Sequence, residues 1–342
     1  MTPHAPIREA WLALVVEPVL DPGQPILDAH HHLWDRDESR YRSAEFIADV
    51  GTGHDVRASL YVQCRTGYRR SGPESLRPLG EVETILDWSA QTPQYPAGIV
   101  AFADLMRGSE VRDTLEALRA LAPGRVRGIR NTTAFHPDPA VRSNPNPAPD
   151  GLLRSEAFRR GAAEVAQAGL VLDVWAYQTQ LHEVESLARA LPELTVVIDH
   201  CGGPLGVGPY GARTSADIVA WRRGVAALAR LPNTRIKIGG FGLAVFGNSY
   251  HQRPLPPHSR QLAADWAPWV EHCVEAFGPQ RAMFESNFPV DKGMFSYVAL
   301  WNAFKRLTRG ASQTEREQLF WRSAAETYGV PFPACRARTS DA

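Results

Sequence analysis

The chain has 342 residues, of which 44% are hydrophobic and 22% are charged, which is the ordinary balance of a globular protein. This composition excludes a disordered chain, which would lack the apolar area needed to offset the entropy of ordering. The 37 Lys and Arg residues balance the 37 Asp and Glu residues, so the sequence lacks the basic excess of a nucleic-acid binder. The length allows either two domains or one α/β barrel.

The sequence contains no apolar run long enough to cross a bilayer, and the most apolar N-terminal run, residues 11–16, ends at Glu17. Four cysteines are scattered without the spacing of a zinc finger, which favours reduced thiols. We therefore expect a cytoplasmic protein that acts on a small-molecule substrate and has neither a nucleic-acid nor a membrane partner.

Short runs rich in Val, Ile and Leu predict eight buried parallel strands. These strands cover residues 25–29, 58–63, 97–104, 125–130, 170–175, 195–200, 234–240 and 281–286. Helical spacing occurs at residues 80–90, 111–121, 155–168, 180–190, 216–231, 263–277, 298–307 and 313–328. The interval after the first strand has the weakest helical signal, and there we expect a long loop over residues 36–54.

The alternation of strands and helices predicts a single-domain, distorted (β/α)8 TIM barrel over residues 25–330. An open doubly wound sheet would carry a glycine-rich turn after its first strand, where this chain has histidines. Residues 1–24 would form an N-terminal arm, and residues 331–342 a C-terminal tail. We expect the arm either to cover the bottom of the barrel or to contact a second subunit in a homodimer. Catalytic groups of such barrels lie at the carboxyl ends of the strands.

Histidines follow two of these predicted strands. Because side chains alternate along a strand, His30 and His32 should point to the same side, and His31 into the wall. Two such imidazoles can converge on one ion or on one substrate oxygen. His200 ends the sixth strand and adds a third imidazole. Asp199 should point away from them and support the fold.

Polar groups also follow the eighth strand. Glu285 and Asn287 have the same parity, so both can face the lumen of the barrel. Asp291 lies further along, in the loop after Pro289. Its alternative role is a surface ion pair with Lys292, which would contribute little to stability.

Several other side chains are candidates for substrate contact. Arg130 ends the fourth strand and could hold a substrate carboxylate, or form a structural ion pair with Glu83. The remaining candidates, which could equally cap helices or pack, are Gln63, Tyr177, Gln180 and Trp34.

In this order the motifs resemble the amidohydrolase-2 group of the amidohydrolase superfamily. The matching segments are Asp-Ala-His-His-His-Leu-Trp-Asp at 28–35, Gly-Ile-Arg at 128–130, Gln-Leu at 180–181, Ile-Asp-His-Cys-Gly at 198–202, and residues 283–289. The group contains metal-dependent hydrolases with a barrel fold, among them pyrone-dicarboxylate lactonases and sugar lactonases. The resemblance therefore implies a barrel hydrolase.

The resemblance also implies roles for single residues. His30 and His32 match the paired histidines of strand one, and His200 matches the histidine of strand six. Asn287 stands where the family has its catalytic aspartate, and the histidine that many members carry after strand five is missing. Three histidines can hold a catalytic metal, so we expect His30, His32 and His200 to bind one divalent ion, zinc first, or none. Since an amide is a poor base, Glu285 or Asp291 would take the proton of water.

We therefore expect a hydrolase that opens a lactone, or a related cyclic ester, of a carboxylated small molecule by attack of an activated water. The three histidines would hold the oxyanion directly or through an ion, and Arg130 would hold the carboxylate. One alternative is a decarboxylase acting on an aromatic or enol acid, which would need no water-activating aspartate. Another is a barrel that has lost catalysis and only binds a ligand.

Overall fold

The computed structural model describes residues 4–36, 39–144 and 146–333. Its strands are β1 (Pro25–His31), β2 (Trp34–Arg36), β3 (Ser39–Tyr41), β4 (Asp55–Val62), β5 (Gly98–Ala101), β6 (Val126–Thr132), β7 (Val171–Trp175), β8 (Val196–Ile198), β9 (Thr234–Ile238) and β10 (Ala282–Phe284). Strands β1 and β4 to β10 form one parallel sheet in which each strand pairs with the next along the chain. Strands β2 and β3 form a separate antiparallel hairpin.

The segment after the last strand returns to the first strand and nearly closes the sheet into a barrel. The backbone N–H of His32 donates to the carbonyl of Phe288 at 2.7 Å. The N–H of Asn287 donates to the carbonyl of His30 at 2.9 Å. All eight predicted strands are present, and the predicted single-domain (β/α)8 barrel is confirmed.

Helices cover the outside of the sheet, as its apolar strands require. They are α1 (Glu9–Leu12), α2 (Ser43–Val50), α3 (Leu79–Trp88), α4 (Val111–Leu121), α5 (Glu156–Gln167), α6 (Leu181–Ala190), α7 (Ser215–Ala229), α8 (Ser259–Phe277), α9 (Tyr297–Leu307), α10 (Gln313–Glu317) and α11 (Ser323–Tyr328). A π-helical turn, Gln318–Arg322, separates the last two, so the predicted helix over 313–328 is interrupted. Across the described ranges, no helix is both long and apolar enough to cross a membrane.

The predicted loop over residues 36–54 is wrong, because this stretch contains the β2–β3 hairpin and helix α2. The strands of the hairpin have three residues each, and α2 has only two turns. Elements this short show no clear periodicity in sequence. Tertiary contacts hold them instead: Phe46 of α2 is fully buried and stacks on His31, with 3.9 Å between ring centroids.

The first part of the N-terminal arm lies over the carboxyl end of the barrel, whereas residues 17–21 contact helices α8, α9 and α10 on its outside. The Trp11 indole N–H donates to the Arg253 carbonyl at 3.0 Å, and the Arg8 guanidinium donates to the carbonyl of His251. Both acceptors belong to the loop that follows β9. The Glu9 carboxylate pairs with the ammonium of Lys292, after β10, at 2.9 Å. The arm therefore reaches the face where parallel strands present their functional groups.

Candidate active site

A cavity of about 460 Å³ opens at the carboxyl ends of the strands. Arg36, Arg65 and Arg130 line it, whereas no Asp or Glu of the described residues does. Its wall is therefore positively charged. The predicted site residues that line it are His32, Trp34, Gln63, Arg130, His200 and Asn287.

His30 and His32 bring their imidazoles together as their spacing predicts. The Nδ1 atom of His32 lies 2.7 Å from the carbonyl oxygen of Val62. Because a carbonyl only accepts, Nδ1 carries the proton and Nε2 of the neutral ring carries a lone pair. That Nε2 lies 3.2 Å from Nε2 of His30. Burial, together with Arg130, holds the pKa of His32 well below its usual value. His32 is therefore an acceptor, and it cannot by itself donate a hydrogen bond to an oxyanion.

Glu285 links the other two histidine side chains from behind the cavity. Its Oε1 lies 2.6 Å from Nδ1 of His200, and its Oε2 lies 3.0 Å from Nδ1 of His30. Burial alone would raise the pKa of Glu285, but His200 and His30 outweigh it and the pKa falls to about 2. The carboxylate is therefore ionised and accepts the Nδ1 proton of His200. In the neutral tautomer that this hydrogen bond selects, the second ring nitrogen of His200 carries a lone pair and is the one available to the cavity.

Asn287 lies in the cavity wall, and Asp291 is fully buried outside it. The Asn287 amide donates to Asp291 Oδ1 at 2.8 Å, and the backbone N–H of Gly242 donates to Asp291 Oδ2 at 2.9 Å. Burial raises the pKa of Asp291 to about 7. The Asn287 carbonyl oxygen is buried without a hydrogen-bond partner, so it is an unused acceptor at the cavity. The alternative surface pair with Lys292 is not formed.

The expectation that Asp199 points away from the site is wrong. Its Oδ2 lies 3.3 Å from Nη1 of Arg130, and its Oδ1 lies 3.6 Å from Nδ1 of His30. Strand β8 ends one residue earlier, at Ile198, so strand alternation no longer applies at Asp199. The Arg130 guanidinium is thus paired inside the lumen and not with Glu83.

A fully buried ion pair beneath the histidines was missed in the sequence. The Lys237 ammonium lies 2.6 Å from Asp173 Oδ2 and 3.3 Å from His30 Nδ1. The Tyr328 hydroxyl donates to Asp173 Oδ1 at 2.7 Å. Burial would lower the pKa of Lys237, but the surrounding carboxylates outweigh it and raise the pKa. The sequence did contain a signal, because each of two predicted buried strands has one charged residue, Asp173 or Lys237, in its middle. Unpaired charges are costly in such strands, so the two residues could have been predicted to pair.

Tyr177 and Gln180 do not line the cavity. The Tyr177 hydroxyl bonds to the N–H and the hydroxyl of Ser143, both at 2.8 Å. The Gln180 side chain accepts from Phe135 N–H at 2.9 Å and donates to the Thr133 carbonyl at 3.0 Å. Both side chains therefore hold loops in place, and Gln180 also accepts from the Tyr177 N–H at 3.3 Å, at the start of the next helical turn.

A metal ion could be held by a set that differs from the predicted one. His30, His200 and Glu285 offer ligand atoms that all lie within 4.8 Å of one another. Two neutral imidazoles and one carboxylate form a donor set that zinc accepts in hydrolases. This set contains Glu285 where the sequence predicted His32, and the set with three histidines stays a prediction.

Known proteins resemble this chain over most of its length. Residues 27–330 match the model of the amidohydrolase family. An uncharacterised protein of Sinorhizobium fredii is 32% identical over 327 residues, covering 89% of this chain and 98% of the relative. An L-fucono-1,5-lactonase of Burkholderia multivorans is 26% identical over 331 residues, covering 90% and 97%. A solved amidohydrolase of Burkholderia multivorans with bound zinc has a TM-score of 0.68 at 22% identity, covering 90% and 99%.

Histidines and a carboxylate gathered at the carboxyl ends of barrel strands are the arrangement expected of a barrel hydrolase. The chain belongs to the amidohydrolase family, as its motifs predict, and it is a hydrolase.

Proposed function

We propose that this protein opens a lactone that carries at least one carboxylate, by attack of water on the ring carbonyl. The observation that supports this most directly is the cavity, where His200, backed by an ionised Glu285, meets a wall with three arginines. The relative named as an L-fucono-1,5-lactonase supports the lactone class. An anionic substrate follows from the charge of the wall.

Arg130 is the best placed of the three arginines to hold a substrate carboxylate. Its guanidinium is anchored by Asp199 and lies 3.1 Å from Nε2 of His30, so its position is fixed relative to the histidines. Its Nε atom is buried and has no partner in the structure. A planar guanidinium with a free N–H suits a carboxylate oxygen. Arg130 would therefore set the distance between the carboxylate and the reacting carbonyl.

His200 is the base in this proposal, in place of Glu285 or Asp291. With its Nδ1 proton held by Glu285, the other ring nitrogen can accept a proton from the attacking water and return it to the leaving ring oxygen. The unused carbonyl oxygen of Asn287 can accept the second hydrogen of that water. Asn287 would thus position water without acting as a base.

A bound divalent ion is the alternative way to activate the attacking water and the lactone carbonyl. His30, His200 and Glu285 would hold it, and when bound it would polarise the lactone carbonyl and lower the pKa of water. His200 would then be a ligand and not a base. Elemental mass spectrometry on protein purified without chelator or metal-affinity resin separates the two forms of the site. About one ion per chain, with activity lost on chelation, supports the ligand form; activity without an ion supports the base.

The function is tested by acid release from lactones with none, one or two carboxylates, including L-fucono-1,5-lactone and 2-pyrone-4,6-dicarboxylate. We expect the carboxylated lactones to be opened fastest. Arg130→Lys should raise KM for them about tenfold, because a point charge replaces a planar donor. The matched control is Arg119→Lys, on the exposed side of α4. A lack of acid release across the set would contradict the proposal, and release of carbon dioxide instead would favour a decarboxylase.

A further inference from the structure

The N-terminal arm supplies a side chain to the wall of the substrate cavity. His4 lines the same cavity as His32 and His200. Its ring stacks on Trp34, with 5.4 Å between ring centroids and 25° between the ring planes. A residue near the start of the chain therefore lies beside groups from the first and sixth barrel strands.

Trp34 connects His4 to the candidate catalytic histidines. The Trp34 and His32 rings are 6.3 Å apart and 26° from parallel. The Arg36 guanidinium lies 4.4 Å from the centroid of the Trp34 ring, where a cation is favourable. The Trp34 indole N–H donates to the Ser39 hydroxyl at 3.0 Å, which fixes the ring on the β2–β3 hairpin. His4 and Trp34 thus form a stacked pair beside a cationic group in the wall of the cavity.

The arm is held tightly enough to act as a wall. A Cβ atom at Gly293 would lie 2.3 Å from the carbonyl oxygen of Ala5, so the arm passes directly over this glycine. Further along, Glu9 pairs with Lys292 and Trp11 donates to the loop after β9. These contacts join the arm to two of the loops that surround the cavity.

We propose that the N-terminal arm is a specificity element, and that His4 and Trp34 together contact the ring of the substrate. The proposal rests on the proposed function for the identity of the ligand, a carboxylated ring. The arginines would bind the carboxylates, and the stacked rings would bind the flat part of the molecule. Neither His4 nor the arm takes part in proton transfer, so the effect should fall on KM and not on kcat.

Steady-state kinetics with the lactone that the wild type opens fastest test the contact. His4→Ala should raise KM about three- to tenfold with kcat within about twofold of the wild type, because one stacking contact is lost. His4→Phe keeps a ring on Trp34 and should restore most of the loss. His182→Ala, on the exposed side of α6, is the matched control. A KM of His4→Ala equal to that of the control would overturn the contact.

A second pair of variants moves the arm without changing His4. Gly293→Ala places a Cβ against Ala5 and should displace the arm, whereas Gly310→Ala has no atom within 4 Å of the new Cβ. We expect only Gly293→Ala to reproduce the higher KM.

Labelling of Cys64 provides a readout that needs no substrate. Cys64 lines the cavity, and burial raises the pKa of its thiol to about 12, so it should react slowly with N-ethylmaleimide in the wild type and faster once displacement of the arm exposes it, as followed by peptide mass spectrometry. His4→Ala and Gly293→Ala should label Cys64 several-fold faster than their controls. Equal labelling rates in the variants and their controls would contradict the proposal that the arm forms a wall of the cavity, even if a lactone is hydrolysed. Faster labelling without any lactone hydrolysis would instead count against the proposed function and leave the wall in place.

Discussion

At the scale of single residues, the Asn287–Asp291 pair explains why an amide can replace the family's aspartate. The two side chains meet at 2.8 Å, with the amide donating to the carboxylate. Two carboxylates at this distance could not both ionise in a buried site. The amide satisfies Asp291 and still leaves one oxygen for the cavity. The asparagine at position 287, which departs from the family pattern, is therefore accommodated by its hydrogen bond to Asp291.

Asn287→Asp should make stability fall as pH rises. Burial already raises the pKa of Asp291 from 3.8 to about 7, and a second carboxylate would raise the pKa of the pair further. At a pH above 3.8 and below the raised pKa of the pair, the folded variant holds a proton that the unfolded chain releases. The free energy of unfolding therefore decreases with increasing pH. We expect the loss relative to wild type to grow to about 2 kcal/mol at pH 8, measured by urea unfolding at pH 5 and pH 8.

The exchange variant Asn287→Asp with Asp291→Asn is the control for this pair. It restores one amide facing one carboxylate, so most of the stability at pH 8 should return. A single variant as stable as the wild type at both pH values would show that the two groups do not interact.

At the scale of elements, the turns that follow the strands aim the functional side chains. His200 and Cys201 have left-handed backbones, with φ of 53° and 56°, in the turn that follows β8. The Trp221 indole N–H donates to the Cys201 carbonyl at 2.8 Å and holds this turn. Gly240, after β9, packs against it: a Cβ there would lie 2.6 Å from the Cβ of His200. The neighbouring loop thus fixes the imidazole that faces Glu285.

Gly240→Ala should displace His200 and lower both stability and activity. Gly240 has φ of 70°, so alanine adds backbone strain as well as the clash. We expect kcat/KM to fall at least about tenfold and the free energy of unfolding to fall by about 2–3 kcal/mol. Gly124→Ala is the matched control, because Gly124 has φ of 69° but no atom within 4 Å of an added Cβ. It should lose about 1 kcal/mol and keep its activity. Equal activity in the two variants would contradict the proposed contact.

The barrel could be predicted from sequence because its strands are separate apolar runs and its helices are periodic. Strand parity likewise placed His30 and His32 side by side. Strand parity gave the wrong direction for Asp199, because the strand had already ended at Ile198. Parity also cannot predict which residue on another strand pairs with Lys237. The position of the arm also depends on contacts between residues more than 240 apart, such as Trp11 with Arg253, which no local pattern encodes.

At the scale of the whole molecule, Asp28 joins the first and last parts of the barrel. Its Oδ1 accepts from the backbone N–H of Ser286 at 2.8 Å, and its Oδ2 accepts from the Tyr297 hydroxyl at 3.0 Å. Both contacts are buried and span more than 250 residues of sequence. They hold β1 against the segment that carries Glu285 and Asn287, so closure of the barrel and assembly of the site depend on the same carboxyl group.

Asp28→Ala should destabilise the protein by about 3 kcal/mol, because it leaves two buried donors without an acceptor. Asp28→Asn keeps an acceptor for Ser286 and should cost about 1 kcal/mol. Burial raises the pKa of Asp28 to about 6, so burial disfavours its ionised form and reduces the cost of replacing it with a neutral amide. Urea unfolding at pH 7 measures both variants. A loss in Asp28→Ala no larger than in Asp28→Asn would mean that this carboxyl group does not hold the closure together.

The central claim is that water opens a carboxylated lactone at His200 and Glu285. The most direct measurement is ring opening in H₂¹⁸O by the wild type and by Glu285→Gln, with Glu326→Gln on α11 as the control. We predict one ¹⁸O in the new carboxylate and none in the new hydroxyl group. We also predict a loss of at least about a hundredfold in kcat for Glu285→Gln alone, since the charge that orients the imidazole is removed. Undiminished turnover by Glu285→Gln, or a product without the label, would contradict the claim.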